Sequence, residues 1–140
     1  MNPKLSEQFF VRDNEEKDFG VLIDLTYRCA LECPRCQRQE FFRDHGEKVW
    51  GEDIPLDTIE KATDTFKAIN FGGQLSDPIH HPNFIEILKL CYEKGVQANV
   101  QTASTGKPKS WFIKAFEANP NARWQFGIDG LPEESHKYRV

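Results

Sequence analysis

Apolar residues along this chain come in short bursts, and their spacing alternates between the period of a strand and that of a helix. Phe19 to Leu25, FGVLIDL, is a nearly continuous run rich in Val, Ile and Leu, the pattern of a strand buried on both faces. The stretch EFFRDHGEKVWGEDIP that follows further on is charged and poorly periodic, which predicts a solvated loop or a lid. Asp57 and Glu60 stand in capping-box spacing before a helical face of Ile59, Ala62, Thr63 and Phe66. AINF then reads as a second strand ending at Gly72 and Gly73, a pair that permits a tight turn or a close ligand approach.

The second half repeats the alternation. Asn83 and Glu86 can cap a helix whose apolar stripe is Phe84, Ile87, Leu88 and Cys91, with Gly95 placed where a helix ends. VQANVQT alternates as a third strand, and Trp111, Phe112, Ala115 and Phe116 mark a further helix before NPNA breaks it. RWQFGID is a fourth strand. Strands separated by helices call for parallel pairing through crossovers, so the expected fold is α/β. Residues 1–18 read as an N-terminal extension and 19–140 as one core domain, with four βα units and an unfinished look at its C-terminal end.

Composition narrows the partners. With 140 residues, 39% of them hydrophobic, the chain is long enough for one domain with a core. Its net charge of -4 comes from interspersed acids and bases, without the basic stripe that draws a chain to nucleic acid or anionic lipid. No apolar run approaches the ~20 residues of a membrane span, and no secretory signal pattern is present, so a cytoplasmic chain is expected. In that reducing setting clustered cysteines point to metal rather than to disulfides.

The cluster is LTYRCALECPRCQRQ, which packs Cys29, Cys33 and Cys36 into eight residues in C-x3-C-x2-C spacing. A closed zinc site would need a fourth ligand from Cys91, His45, His80, His81 or His136, and none has a spacing that recommends it. Cys91 lies on an apolar helical stripe, where a thiol packs as a small hydrophobe. A cubane iron–sulfur cluster, by contrast, can be held by three thiolates while one iron stays open. His80 and His81 read as solvent-facing turn residues, and Trp50, Trp111 and Trp124 as side chains of the core or its rim.

The cysteine spacing directly after a strand, together with DLTYRC, resembles the cluster loop of the radical S-adenosylmethionine superfamily, and FGIDGLPEESHKYRV resembles the fourth-strand segment of its SPASM-type peptide maturases. Position 35, often aromatic in that family, is Arg here. The resemblance implies a partial parallel (β/α) barrel of the radical SAM type, with about four of six βα units present, and a [4Fe-4S] cluster on Cys29, Cys33 and Cys36. It further implies S-adenosylmethionine as cofactor, held at GGQLSDPIHHPNF. Two alignments are open there: Gly72, Gly73 and Gln74, or the preferred longer form Gly73, Asp77, Pro78, His81 and Pro82. Asp77-Pro78 taken alone is also a simple turn. QTASTGK resembles the third-strand segment and brings in Ser104; it is not a phosphate loop, since position 101 is Gln. Asp129 would stand at the rim near the cofactor ribose or the substrate.

The resemblance thus implies reductive cleavage of S-adenosylmethionine to a 5′-deoxyadenosyl radical, a low-potential electron donor, and a substrate of unknown identity that could be a peptide. It assigns no catalytic side chain. The rival expectation is a cluster- or zinc-binding interaction module, catalytically incomplete, that needs a second chain or another copy to complete the barrel.

Overall fold

A computed structural model describes residues 19–137; the expected N-terminal extension, and the arginine near the C-terminal end, lie outside the described residues. Four strands, β1 (Gly20–Asp24), β2 (Ala68–Gly72), β3 (Gln97–Thr102) and β4 (Arg123–Phe126), form one sheet in the order β1-β2-β3-β4, every neighbouring pair parallel. Helices α1 (Gln37–His45) and α2 (Leu56–Thr65) connect β1 to β2. A 3-10 turn (Pro78–His80) and α3 (Phe84–Glu93) lead to β3, and α4 (Lys109–Ala118) leads to β4. Among the described residues no helix is long and apolar enough to cross a membrane.

The core follows from strand parity. Ile69 and Phe71 of β2 and Ala98 and Val100 of β3 point to one face, where they meet Ile59 of α2, Ile87, Leu88 and Cys91 of α3, and Ala115 of α4, all buried. Phe84 is the wedge at the start of α3: its ring meets Phe71 edge-on at 5.8 Å, stacks on Trp111 at 6.2 Å and meets Trp124 edge-on at 6.3 Å. One aromatic side chain therefore ties β2, β4 and α4 to α3. Trp111 and Trp124 serve the core margin as expected, whereas Trp50 is 80% exposed and serves neither core nor rim.

Four local expectations are corrected. β1 is not buried on both faces: Val21 and Ile23 pack on the core, while Leu22 on the opposite parity is 68% exposed. Among the described residues the sheet therefore has one helix-covered face and one open face. The charged stretch after the cysteines contains helix α1, which escaped notice because it buries no side chain and so carries no periodicity. It is instead delimited by its ends, with Cys36 at the N-cap and Gly46 in the left-handed conformation at the C-cap. The two capping boxes do not form. Pro55 occupies the N-cap of α2, and Asn83, which does cap α3, turns its amide to Glu86 Oε2 at 2.9 Å.

His81 is the fourth correction. It is 3% exposed, its Nε2 donates to the Ile54 carbonyl at 2.9 Å and its Nδ1 accepts from Asn83 N–H at 3.1 Å. Both ring nitrogens are thus used to dock the segment before α2 onto the start of α3. His80 is half-buried beneath the loop after β3, where a Cβ on Gly106 would come within 2.9 Å of its ring.

Cys91 behaves as the core thiol its stripe predicts. It is fully buried, and burial pushes its thiol from the ordinary 9.0 up to about 11. A folded-state pKa above the unfolded one means that this group's contribution is whole below about pH 9 and is lost as pH rises through about 11. Alkaline denaturation curves should therefore lose about 3 kcal/mol between those limits, and a Cys91→Ala protein should lack that component. In the native protein near neutral pH, Cys91 should resist thiol reagents that modify the three clustered cysteines.

Candidate active site

The three cysteines are delivered by a stapled strand end. Beyond β1, Thr26 donates to Asp53 Oδ1 at 2.5 Å, and Arg28 clasps the same carboxylate through Nε at 3.1 Å and Nη2 at 2.9 Å. The hydrogen bond from Arg28 holds the Asp53 carboxyl below its ordinary range, with Thr26 assisting against the cost of burial. Ile54 N–H donates to the Leu25 carbonyl at 2.9 Å, so the segment before α2 braces the chain just ahead of Cys29. Cys36 N–H then closes a turn on the Cys33 carbonyl at 3.0 Å, and the Cys36 carbonyl accepts from Gln39 and Glu40 at the start of α1.

All three cysteines are free thiols and half-buried, and all three line one cleft of about 300 Å³ at the C-terminal ends of the strands. Burial raises the Cys29 thiol above its ordinary value, against the lowering effect of Leu31 N–H, which reaches its sulfur at 3.5 Å. Among the described residues no three His, Cys, Asp or Glu side chains converge closely enough to hold one metal ion. Four-coordinate zinc requires such convergence. A cubane does not, because each thiolate binds a different iron at a separate corner. Three thiols are the donor type that both zinc and iron–sulfur clusters take.

The loop after β2 forms the facing wall. It is stitched to the cysteine loop by Asp77 N–H donating to the Arg28 carbonyl at 3.0 Å, and by Arg38, which donates to the carbonyls of Tyr27 and of Leu75, the latter at 2.9 Å. Gly73 is required there: a Cβ would lie 2.4 Å from Ser76 Oγ and 2.7 Å from the Ser76 carbonyl oxygen. Ser76 in turn donates to the Asp24 carboxylate at the end of β1.

Asp77 joins this wall to β3. Its buried carboxylate accepts from Thr102 Oγ1 at 2.8 Å, from Ala103 N–H at 2.9 Å and from Ile79 N–H at 3.3 Å. Three hydrogens thus occupy a group with about four acceptor sites, which leaves about one for a ligand. Thr102 Oγ1 also accepts from Ser104 N–H at 2.9 Å, and Ser104 adopts the left-handed conformation at φ 59°.

Of the sequence-predicted positions, Cys29, Cys33, Cys36, Gly73 and Asp77 share the cleft. Ser104 and Asp129 line an adjoining cleft of about 360 Å³ whose walls include Leu31, Ala103 and Gly127, residues that also line the first. Gly72 is the buried last residue of β2, its Cβ direction aimed at Gln101 Oε1, 3.2 Å away. Gln74 is exposed and lines neither cleft. Sequence reasoning missed Gln101, Thr102 and Gln125, which complete the cysteine cleft. For Gln101 and Gln125 the signal existed in the polar positions of QANVQT and RWQF, which alternate with the core residues, whereas Thr102 has the parity of the buried Ala98 and Val100.

No protein-family model matches the chain. Among solved structures, the crystal structure of Streptococcus suis SuiB bound to precursor peptide SuiA is similar, with a TM-score of 0.65 over 88% of this chain at 12% sequence identity. The chain covers 27% of the length of that protein. What the two share is the fold, a partial parallel (β/α) barrel of the radical SAM type, here represented by four strands.

Proposed function

We propose that this chain is the cluster-bearing part of a radical S-adenosylmethionine enzyme acting on a peptide. One observation carries the reading: three free thiols in C-x3-C-x2-C spacing meet the glycine–aspartate loop of the next strand in one cleft at the C-terminal end of a parallel sheet. Barrel enzymes assemble their sites at that end. The likeness to the fold of SuiB, a protein seen with a precursor peptide, supports both the enzyme class and the substrate class.

In this reading Cys29, Cys33 and Cys36 hold a [4Fe-4S] cluster, and S-adenosylmethionine occupies the cleft beside it. When bound, the pair supplies a one-electron cleavage of the carbon–sulfur bond and hence a 5′-deoxyadenosyl radical able to remove a hydrogen atom from the substrate. The chain's own residues position and enclose. Gly73 lets the wall turn tightly against Ser76, and Asp77 has about one acceptor site left for the ligand's amino group. Ser104 and Asp129 face the adjoining lobe, which suits hydroxyls of a ribose or polar groups of the substrate. Gly72 and Gln74 contribute through the turn that they begin.

Anaerobic reconstitution with iron and sulfide should yield a brown protein with about four irons per chain, and dithionite with S-adenosylmethionine should then release 5′-deoxyadenosine. A colourless protein binding one zinc would refute the reading. Among the described residues β1 and β4 are edges with no further strand, which favours a second element in the same picture, a partner chain or second copy that pairs with an edge and extends the barrel. Sedimentation of the reconstituted protein would reveal it as a mass above that of one chain.

A further inference from the structure

The open face of the sheet carries carboxamides that neither the core nor the cysteine loop uses. Asn70 of β2, Asn99 and Gln101 of β3 and Gln125 of β4 have the parity opposite to Ile69, Phe71, Val100 and Trp124, which pack on the core. Asn99 Nδ2 donates to Asn70 Oδ1 at 2.8 Å. Gln101 and Gln125 are partners in register, both exposed, and both line the cysteine cleft. Their amides stand apart from the Asn99–Asn70 pair and face the cleft. Gly72 keeps the strip open, since a Cβ there would press on Gln101 Oε1 at 3.2 Å.

Barrel interiors are ordinarily filled with branched apolar side chains. A face that instead presents these amides, with a fifth, Gln97, turned to the Asn121 carbonyl and Leu22 beside Asn70 on β1, is built to be wet or to be filled by a hydrogen-bonding ligand. We propose that this strip seats the main chain of a peptide segment, presenting it to the cysteine cleft; the inference rests on the reading of that cleft as a site of peptide modification. Each carboxamide offers a carbonyl acceptor and an N–H donor in one plane, the complement of a peptide unit's N–H and C=O. The four carboxamides carry no charge, and Arg123, the partner of Asn99 in register, places a cation beside them on the same face.

Size separates a peptide from the adenine of the cofactor. Across β2 to β4 the strip covers two strand spacings, about 9.6 Å, and along β3 from Asn99 to Gln101 about 6.6 Å. A purine edge satisfies one bidentate carboxamide, whereas two or three peptide units at about 3.3 Å each span the strip. Asp24 stands on the same face at the margin on β1, already engaged by Ser76.

The test uses the full reconstituted chain and the capped peptide N-acetyl-triglycine amide, followed by saturation-transfer NMR on the peptide signals. Saturable binding is expected, weakened about tenfold in a Gln101→Met, Gln125→Met protein, the loss of about two hydrogen bonds, with iron content unchanged. Should the double variant fold poorly, Gln125→Met alone on the edge strand should still weaken binding. Equal affinity in the variants, no peptide binding, or binding of adenosine alone at these glutamines would overturn the proposal. A protein without iron that still binds the peptide through Gln101 and Gln125 would refute the cluster reading while leaving the strip in place.

Discussion

Cys33→Ala is expected to leave a colourless protein with less than a tenth of the wild-type iron after anaerobic reconstitution, and no 5′-deoxyadenosine above background. A cubane held at three corners has no spare protein ligand, and the other thiol in the chain, Cys91, is sealed in the core with its thiol pushed up to about 11. Cys33 also accepts, through its carbonyl, the hydrogen bond from Cys36 that shapes the turn, but that bond belongs to the backbone and survives the substitution. The fold should therefore persist, with circular dichroism and melting close to those of metal-free wild type. Iron retained at the wild-type level in Cys33→Ala would remove the three-thiolate site from consideration.

Asp77→Ala should act on two properties at once. The substitution orphans Thr102 Oγ1, Ala103 N–H and Ile79 N–H, all of which donate to that carboxylate. Unpaired buried donors cost about 1–3 kcal/mol each; partial relaxation at the half-buried Ala103 puts the sum at about 3 kcal/mol. The melting temperature should fall by on the order of 10 °C. Cofactor affinity should fall with it, because the wall between the loops after β2 and β3 loses its bracket, while the cysteines, on another loop, still take up iron below the new melting point. Asp77→Asn keeps one acceptor oxygen but turns its NH2 toward Ala103 or Ile79 N–H, and should recover only part of the stability. Thermal melting together with equilibrium dialysis of S-adenosylmethionine separates the effects. A variant that melts like wild type and loses only cofactor binding would mean that Asp77 serves the ligand and not the wall.

The order of elements was legible because parallel βα units write the same two periods over and over. FGVLIDL, AINF, VQANVQT and RWQF all became strands, and the stripe of Phe84, Ile87, Leu88 and Cys91 became the central helix. Helix α1 was illegible for the opposite reason: it buries nothing, so its sequence records only its two ends. His81 misled because adjacent histidines before a proline look like a turn. Its two ring nitrogens find partners, at Ile54 and Asn83, that are 27 residues away in one case and two in the other.

What the sequence determined unaided is whatever depends on neighbours along the chain: the strand and helix periods, the cysteine spacing, and the glycine at 73 that a crowded turn demands. What only the tertiary structure decided is which separate loops meet. It brought Asp77 to Thr102, Asp53 to Arg28 and Gln125 beside Gln101, and it opened one face of the sheet that the apolar run of β1 had suggested would be covered. The reason is physical: a periodic pattern reports which side of an element is buried, but pairing between elements is set by sheet order and register, which no local stretch of residues contains.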